Sequence, residues 1–262
     1  MSTSVKFNVH HHLGVLTLNR PDRLNALVPD MIEGFRQAIH QASDPEVKAL
    51  VVRGEGRAFC AGGDISWMAQ CIQDKRVEEM DQLLAFGSEV AYSFFVLPKP
   101  VIALVQGPAA GAGMSLALAA DLRWASNQAS FSMAFAKIGV HPDWGGSVLL
   151  SRLVSPSKAM ELMWTGDTLT ADQALALGLV NEVIPSDQFA AVVDQKMNRL
   201  AAAPSALLGS IKQSAQRNLG LDAASFKSLL EAEGREMKRM IQSPNAQEGI
   251  RAFLEKRPPR FN

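Results

Sequence analysis

Two stretches of small residues stand where this sequence could hold a reacting group against its main chain. The first is Ala58-Phe59-Cys60-Ala61-Gly62-Gly63-Asp64 and the second is Gly107-Pro108-Ala109-Ala110-Gly111-Ala112-Gly113. Each follows an apolar run and precedes a segment that reads as a helix. Small side chains let a ligand approach the backbone closely, and the first N–H groups of a helix have no partner inside it. Two such groups converging on one oxygen would form an oxyanion hole, in which a single donor is typically worth about 3–4 kcal/mol of transition-state stabilisation. Either stretch alone also fits an ordinary tight turn. Gly111 and Gly113 give G-x-G, but Leu116 stands where the third glycine of a dinucleotide fingerprint would fall, and there is no phosphate-loop motif.

A third candidate is an acid. Asp143 lies in Gly139-Val140-His141-Pro142-Asp143-Trp144-Gly145-Gly146. A carboxylate there could move a proton, and Phe135 and Trp144 nearby would exclude water and raise its pKa by desolvation. On residue type alone the better reading is a cap for the helix that opens near Trp144, since aspartate is a common N-cap. Other titratable groups carry less. Of His10-His11-His12, only two would share a face of a strand, and no further metal ligands are identifiable. They read as a solvated segment. Cys60 reads as a small apolar residue beside the site. Glu78 and Glu79 read as a solvated helix face, with a second acid as the alternative if that helix folds inward. Ser115 either hydrogen-bonds a substrate or packs at a helix start.

The elements that would position these residues alternate. Strands are expected at residues 15–18, 48–53, 101–105, 122–125 and 180–184, with one more within 130–135, and helices at 30–42, 111–120, after 142–146, and at 170–177. From Phe189 to about Leu254 the pattern is helical, broken once at residues 201–204. The fold class is therefore α/β with a helical C-terminal segment, divided as a core over residues 1–200 and a C-terminal segment over 201–262.

Composition sets the outer limits. The chain has 262 residues, 47% hydrophobic and 20% charged, which suits a packed globular protein. Lysine plus arginine equals aspartate plus glutamate at 26 each, so no nucleic-acid groove or polybasic membrane patch is expected. Two cysteines are too few for a disulfide framework. With a polar stretch at residues 1–6 and no apolar run long enough to span a bilayer, a cytoplasmic location is expected.

Taken in order, Leu18-Asn19-Arg20-Pro21, Asn25-Ala26, both glycine-rich stretches, Pro98-Lys99-Pro100, Ala119-Ala120-Asp121, Gly145-Gly146, Ala174-Leu175-Ala176-Leu177-Gly178-Leu179-Val180 and Ala252-Phe253-Leu254-Glu255-Lys256-Arg257 resemble the crotonase (enoyl-CoA hydratase/isomerase) superfamily over nearly the whole chain. The resemblance implies a spiral of strand-strand-helix turns, a helical C-terminal trimerisation region, and a homotrimer or homohexamer. It implies acyl-CoA substrates, with coenzyme A part of the substrate and no separate cofactor or metal. Oxyanion donors would be the N–H groups of Gly63 and Ala112. Arg23, Ala61, Gly62 and Asp64 would line the coenzyme A site, with Lys256 a weaker candidate for its phosphates. Ser115, Phe135 and Trp144 would flank the acyl group.

The family's hydratases use two glutamates, and the matching positions here are Ser115 and Phe135. Neither is a carboxylate. Isomerases of the family, including the ring-opening isomerase of phenylacetyl-CoA breakdown, are similar around Asp143 and use that aspartate as a single proton shuttle. The expected function is therefore an acyl-CoA isomerase acting on a 3-enoyl chain or a ring epoxide/oxepin thioester. The alternatives are a hydratase with a non-standard acid/base and a non-catalytic acyl-CoA binder.

Overall fold

A computed structural model describes residues 4–262; residues 1–3, the start of the polar N-terminal stretch, lie outside the described residues. The first half contains β1 (Val5–His10), β2 (Leu13–Leu18), α1 (Ile32–Ala42), β3 (Ala49–Gly54), α2 (Ile65–Gln73), α3 (Val77–Val96), β4 (Val101–Val105), β5 (Ala109–Ala110), α4 (Ala112–Ala119) and β6 (Leu122–Ser126). The second contains β7 (Ser130–Ser132), α5 (Gly146–Leu153), α6 (Pro156–Thr165), β8 (Thr168–Thr170), α7 (Ala171–Ala176), β9 (Glu182–Ile184), α8 (Phe189–Ala202), α9 (Ser205–Asn218), α10 (Ala223–Ile241) and α11 (Pro244–Leu254).

A six-stranded sheet runs β1-β2-β3-β4-β6-β9, and a three-stranded sheet runs β5-β7-β8. The large sheet is parallel except for the β1–β2 hairpin. Its middle strands are buried on both faces, which explains why they read as continuous apolar runs. Successive side chains alternate. Leu50, Val52 and Ala103 face the main core with α1, α3 and α4, whereas Ala49, Val51 and Ile102 face a second cluster that includes Val193 and Met197 of α8.

Most expected elements form within a few residues of their predicted ends. β1 is an additional strand, joined to β2 by a two-residue turn, His11-His12, with φ of 48° and 65°. Positive φ at both positions matches the twist of a tight hairpin. The histidines are exposed, as expected of a solvated segment. Residues 134–138 turn into a short 3-10 helix instead of extending β7. The C-terminal helices also break at residues 219–222 and 242–243, where Asp222 and Ser243 cap α10 and α11. These helices fold back onto the core, with α10 lying along α3 and α11 against α2.

One buried side chain sets the course of the first glycine-rich stretch. Asn25 is fully buried with φ of 58°, a backbone region that asparagine tolerates better than most residues. Its Oδ1 accepts from Arg20 N at 2.9 Å, and its Nδ2 donates to Glu55 O at 2.9 Å and Ala58 O at 2.8 Å. The loop after β2 is thus tied to the end of β3. Replacing Asn25 with Ala strands buried polar groups at both ends of that tie, and the expected loss is about 2–3 kcal/mol in a urea denaturation.

Candidate functional site

The two glycine-rich stretches lie side by side. Cys60 bridges Ala109 in a parallel pair, and Ala110 N donates to Cys60 O at 2.9 Å. A side chain at Gly113 would meet Cys60 O at 2.1 Å, so glycine there is a condition of the contact. Gly62 has φ of 93°, and a Cβ on it would sit 2.7 Å from Ala110 O. Gly63 ends the first stretch, and Ala112 is the first residue of α4 after Gly111 at φ 51°. Neither the Gly63 nor the Ala112 N–H donates to any group among the described residues.

Both residues line a cavity of about 190 Å³. Its wall also includes Met80, Leu83 and Leu84 of α3, Phe135 and Ile138, and Met237 of α10 with Phe253 of α11. Ala61, Gly62, Asp143 and Trp144 also reach it. Among the described residues, two lining side chains are ionisable, Asp143 and Lys137, and the Lys137 side chain is exposed.

Asp143 does not cap the following helix. The N-cap of α5 is Gly145, and only the Asp143 main-chain carbonyl takes part, accepting from Gly146 N at 2.9 Å. The carboxyl is buried, and its Oδ1 has no hydrogen-bond partner. Burial first, and the nearby Glu233 charge second, push its pKa well above the ordinary carboxylate range. Beside it Trp144 adopts φ of 57°, an outlier for a bulky residue. Its ring packs edge-on against Phe86 and Phe35, with centroids 5.6 and 6.2 Å away, in space left by Gly87.

Three expected contacts lie off the cavity wall. Ser115 is fully buried, packed against Gly146, with its hydroxyl 3.4 Å from Gly111 O, which supports its packing reading. Asp64 caps α2 by accepting from Trp67 N at 3.2 Å, and it pairs with Arg20 at 3.0 Å. Arg23 is exposed in a neighbouring groove with Arg20, Asp64 and Arg76. That groove is lined by three guanidinium groups and by the carboxylates of Asp30, Asp64 and Glu79, with Arg20 paired to Asp64 and Arg76 to Glu79. Glu78 is exposed, and Glu79 pairs with Arg76 at 2.8 Å; neither reaches the cavity. Burial pushes the Cys60 thiol up to about 12, and its Sγ lies 3.2 Å from Asn25 O, which suits a packing role.

Sequence reasoning missed the contributions of Met237 and Phe253, because helical periodicity shows an apolar face without showing what it covers. It also missed Glu233, a charged residue in a helix rich in charge that is nonetheless buried. No group of three or more metal-ligating side chains is placed for a metal, and no helix is long and apolar enough to cross a membrane, among the described residues.

The family model described as enoyl-CoA hydratase/isomerase matches residues 9–262. The chain belongs to that family. Among its relatives, a probable enoyl-CoA hydratase of Rhodobacter capsulatus is 36% identical over 98% of this chain and 97% of its own. The 1,2-epoxyphenylacetyl-CoA isomerase of Escherichia coli is 36% identical over 94% and 93%. The crystal structure of an enoyl-CoA hydratase from Mycobacterium avium subsp. paratuberculosis superposes with a TM-score of 0.87 at 35% identity, covering both chains fully. The α/β architecture is thus that of crotonase-type enzymes, and enoyl-CoA hydratase/isomerase family members act on acyl-CoA.

The raised pKa of Asp143 has a consequence for stability. The unfolded chain ionises this carboxyl near the ordinary value, while the folded chain holds its proton to higher pH. Stability therefore falls as pH rises between the two. The Asp143→Asn variant lacks that loss, and its thermal midpoint should gain on the wild type as pH increases, measured by calorimetry across that range.

Proposed function

We propose that this family member is an acyl-CoA isomerase with a single acid/base group. The observation that carries the reading is one buried carboxyl, Asp143, in an otherwise apolar cavity whose wall also holds two N–H groups without acceptors. The thioester oxygen accepts from Gly63 and Ala112. As a proton leaves C2, the developing enolate oxygen gains most from those donors. Asp143 takes that proton and returns it at C4 of a 3-enoyl chain, giving the conjugated 2-enoyl thioester. Atoms balance without water or cofactor, and coenzyme A is present only as part of the substrate. The cavity has room for a short chain or a ring, since a cavity of about 150 Å³ holds benzene. A ring epoxide or oxepin thioester is the second substrate class in range. Arg23, exposed in the neighbouring groove, suits one of the coenzyme's phosphates.

Hydration is the rival reading, and relatives named as hydratases keep it in view. It needs a second group to activate water. Phe135 occupies one expected carboxylate position on the cavity wall, and Ser115 occupies the other away from it. We also propose a homotrimer or homohexamer in the cytoplasm, on the family resemblance.

The test is solvent exchange. The protein is incubated with 3-hexenoyl-CoA in deuterated water, and deuterium uptake and conjugation are followed. Wild type should exchange and conjugate, and Asp143→Asn should lose about 100-fold or more of both. Equal behaviour of the two proteins overturns the assignment, and tight thioester binding without exchange identifies a non-catalytic binder. The rate should rise with pH through the raised Asp143 pKa, because the ionised form is the base.

Ala112→Pro is a second test. Proline is tolerated at the first position of a helix and removes the N–H, and the preceding Gly111 accepts an unusual backbone conformation. The kcat should fall by about 100- to 1000-fold with the protein still folded by circular dichroism.

A further inference from the structure

Glu233 has no part in the reaction proposed above, yet it is the most heavily hydrogen-bonded acid near it. It lies in α10 and is 5% exposed. Burying a carboxylate is costly unless donors surround it, and here all of them come from the turn that follows Asp143. Gly145 N donates to Oε1 at 2.6 Å, Ser147 N donates to Oε2 at 2.9 Å, and the Ser147 hydroxyl donates to Oε2 as well. That turn contains Trp144 and Gly145 at φ of 57° and 78°. A bulky residue in this region persists only where its surroundings impose it.

We propose that Glu233 is a positioning residue for Asp143, pinning the strained turn over residues 144–147 by its three hydrogen bonds and placing a fixed negative charge behind the Asp143 carboxyl. This rests on the proton-transfer role proposed for Asp143. Glu233 accepts three hydrogen bonds where the Asp143 Oδ1 accepts none, so it is the member of the pair that holds the charge. Asp143, with Oδ1 unpartnered, is the member that holds the proton at rest. Burial raises both groups; the Glu233 charge adds to the effect on Asp143, while the Ser147 and Gly145 donors oppose it on Glu233. His141 on the preceding loop is the further ionisable group that acts on Glu233, and Glu233 is the one that acts on Asp143 among the described residues. Glu233 is thus a device by which the C-terminal helices act on a base carried by the core.

Infrared spectroscopy of the whole protein tests this without turnover. The protonated carboxyl band of Asp143 is assigned from the wild type minus Asp143→Asn difference and titrated. Glu233→Gln should move its midpoint down by about one pH unit or more, with the pH profile of solvent exchange moving alongside. An unchanged midpoint in a folded Glu233→Gln protein overturns the proposal. Should that variant fail to fold, Ser147→Ala keeps the carboxylate and removes one donor. With that charge less neutralised, the Asp143 midpoint should rise by a smaller amount, and no shift there overturns the proposal too. If exchange depends on Asp143 while the midpoint ignores Glu233, the isomerase reading stands and this one falls. If the midpoint follows Glu233 while no thioester exchanges, the coupling stands and the isomerase reading falls.

Discussion

The contact between two main-chain segments, Cys60 against Gly113, is the constraint on which the site depends. A Cβ on Gly113 would lie 2.1 Å from Cys60 O, a distance no packing adjustment absorbs. The approach brings the end of the first glycine-rich stretch beside the start of α4, and it leaves Gly63 and Ala112 with N–H groups that nothing among the described residues accepts. Unpaired donors in an apolar wall are normally a cost to folding. They persist where the rest of the fold fixes the segments, as Asn25 does for the first stretch and the β5–β7 pairing does for the second.

The same balance of cost and support recurs on the opposite wall. Asp143 is a buried acid without a partner for Oδ1, and Trp144 beside it occupies a backbone region that disfavours large side chains. The rings of Phe35 and Phe86 hold Trp144 from α1 and α3, and Glu233 holds the turn from α10. The C-terminal helices therefore do more than follow the core. Met237 and Phe253 complete the cavity wall, and the Glu233 charge adds to burial in raising the pKa of the acid.

Much of the fold was legible because its signals are local. β4 is an uninterrupted apolar run bounded by turn residues, and α7 carries its capping box, Thr170 with Gln173, in the sequence itself. β1 was missed because its apolar residues, Val5, Phe7 and Val9, lie in a polar context and its turn uses histidines instead of glycine or asparagine. In the site, the two glycine-rich stretches were legible from residue type, while Gly62, Gly63, Ala112 and Asp143 were singled out within them and beside them by the family resemblance. Asp64 and Ser115 could not be separated from them, since a helix cap or a packing hydroxyl looks the same in sequence as a ligand contact.

By itself, the sequence determined the alternation of strands and helices, the two stretches too small to fill space, and the absence of carboxylates at positions 115 and 135. These follow from residue type and spacing, which act over a few neighbours. Only the tertiary structure decided which donors stay unpaired, that Asp143 faces a cavity instead of capping α5, and that Glu233 stands behind it. Burial and charge proximity between segments far apart in the chain set those outcomes, and neither quantity exists until the segments have packed.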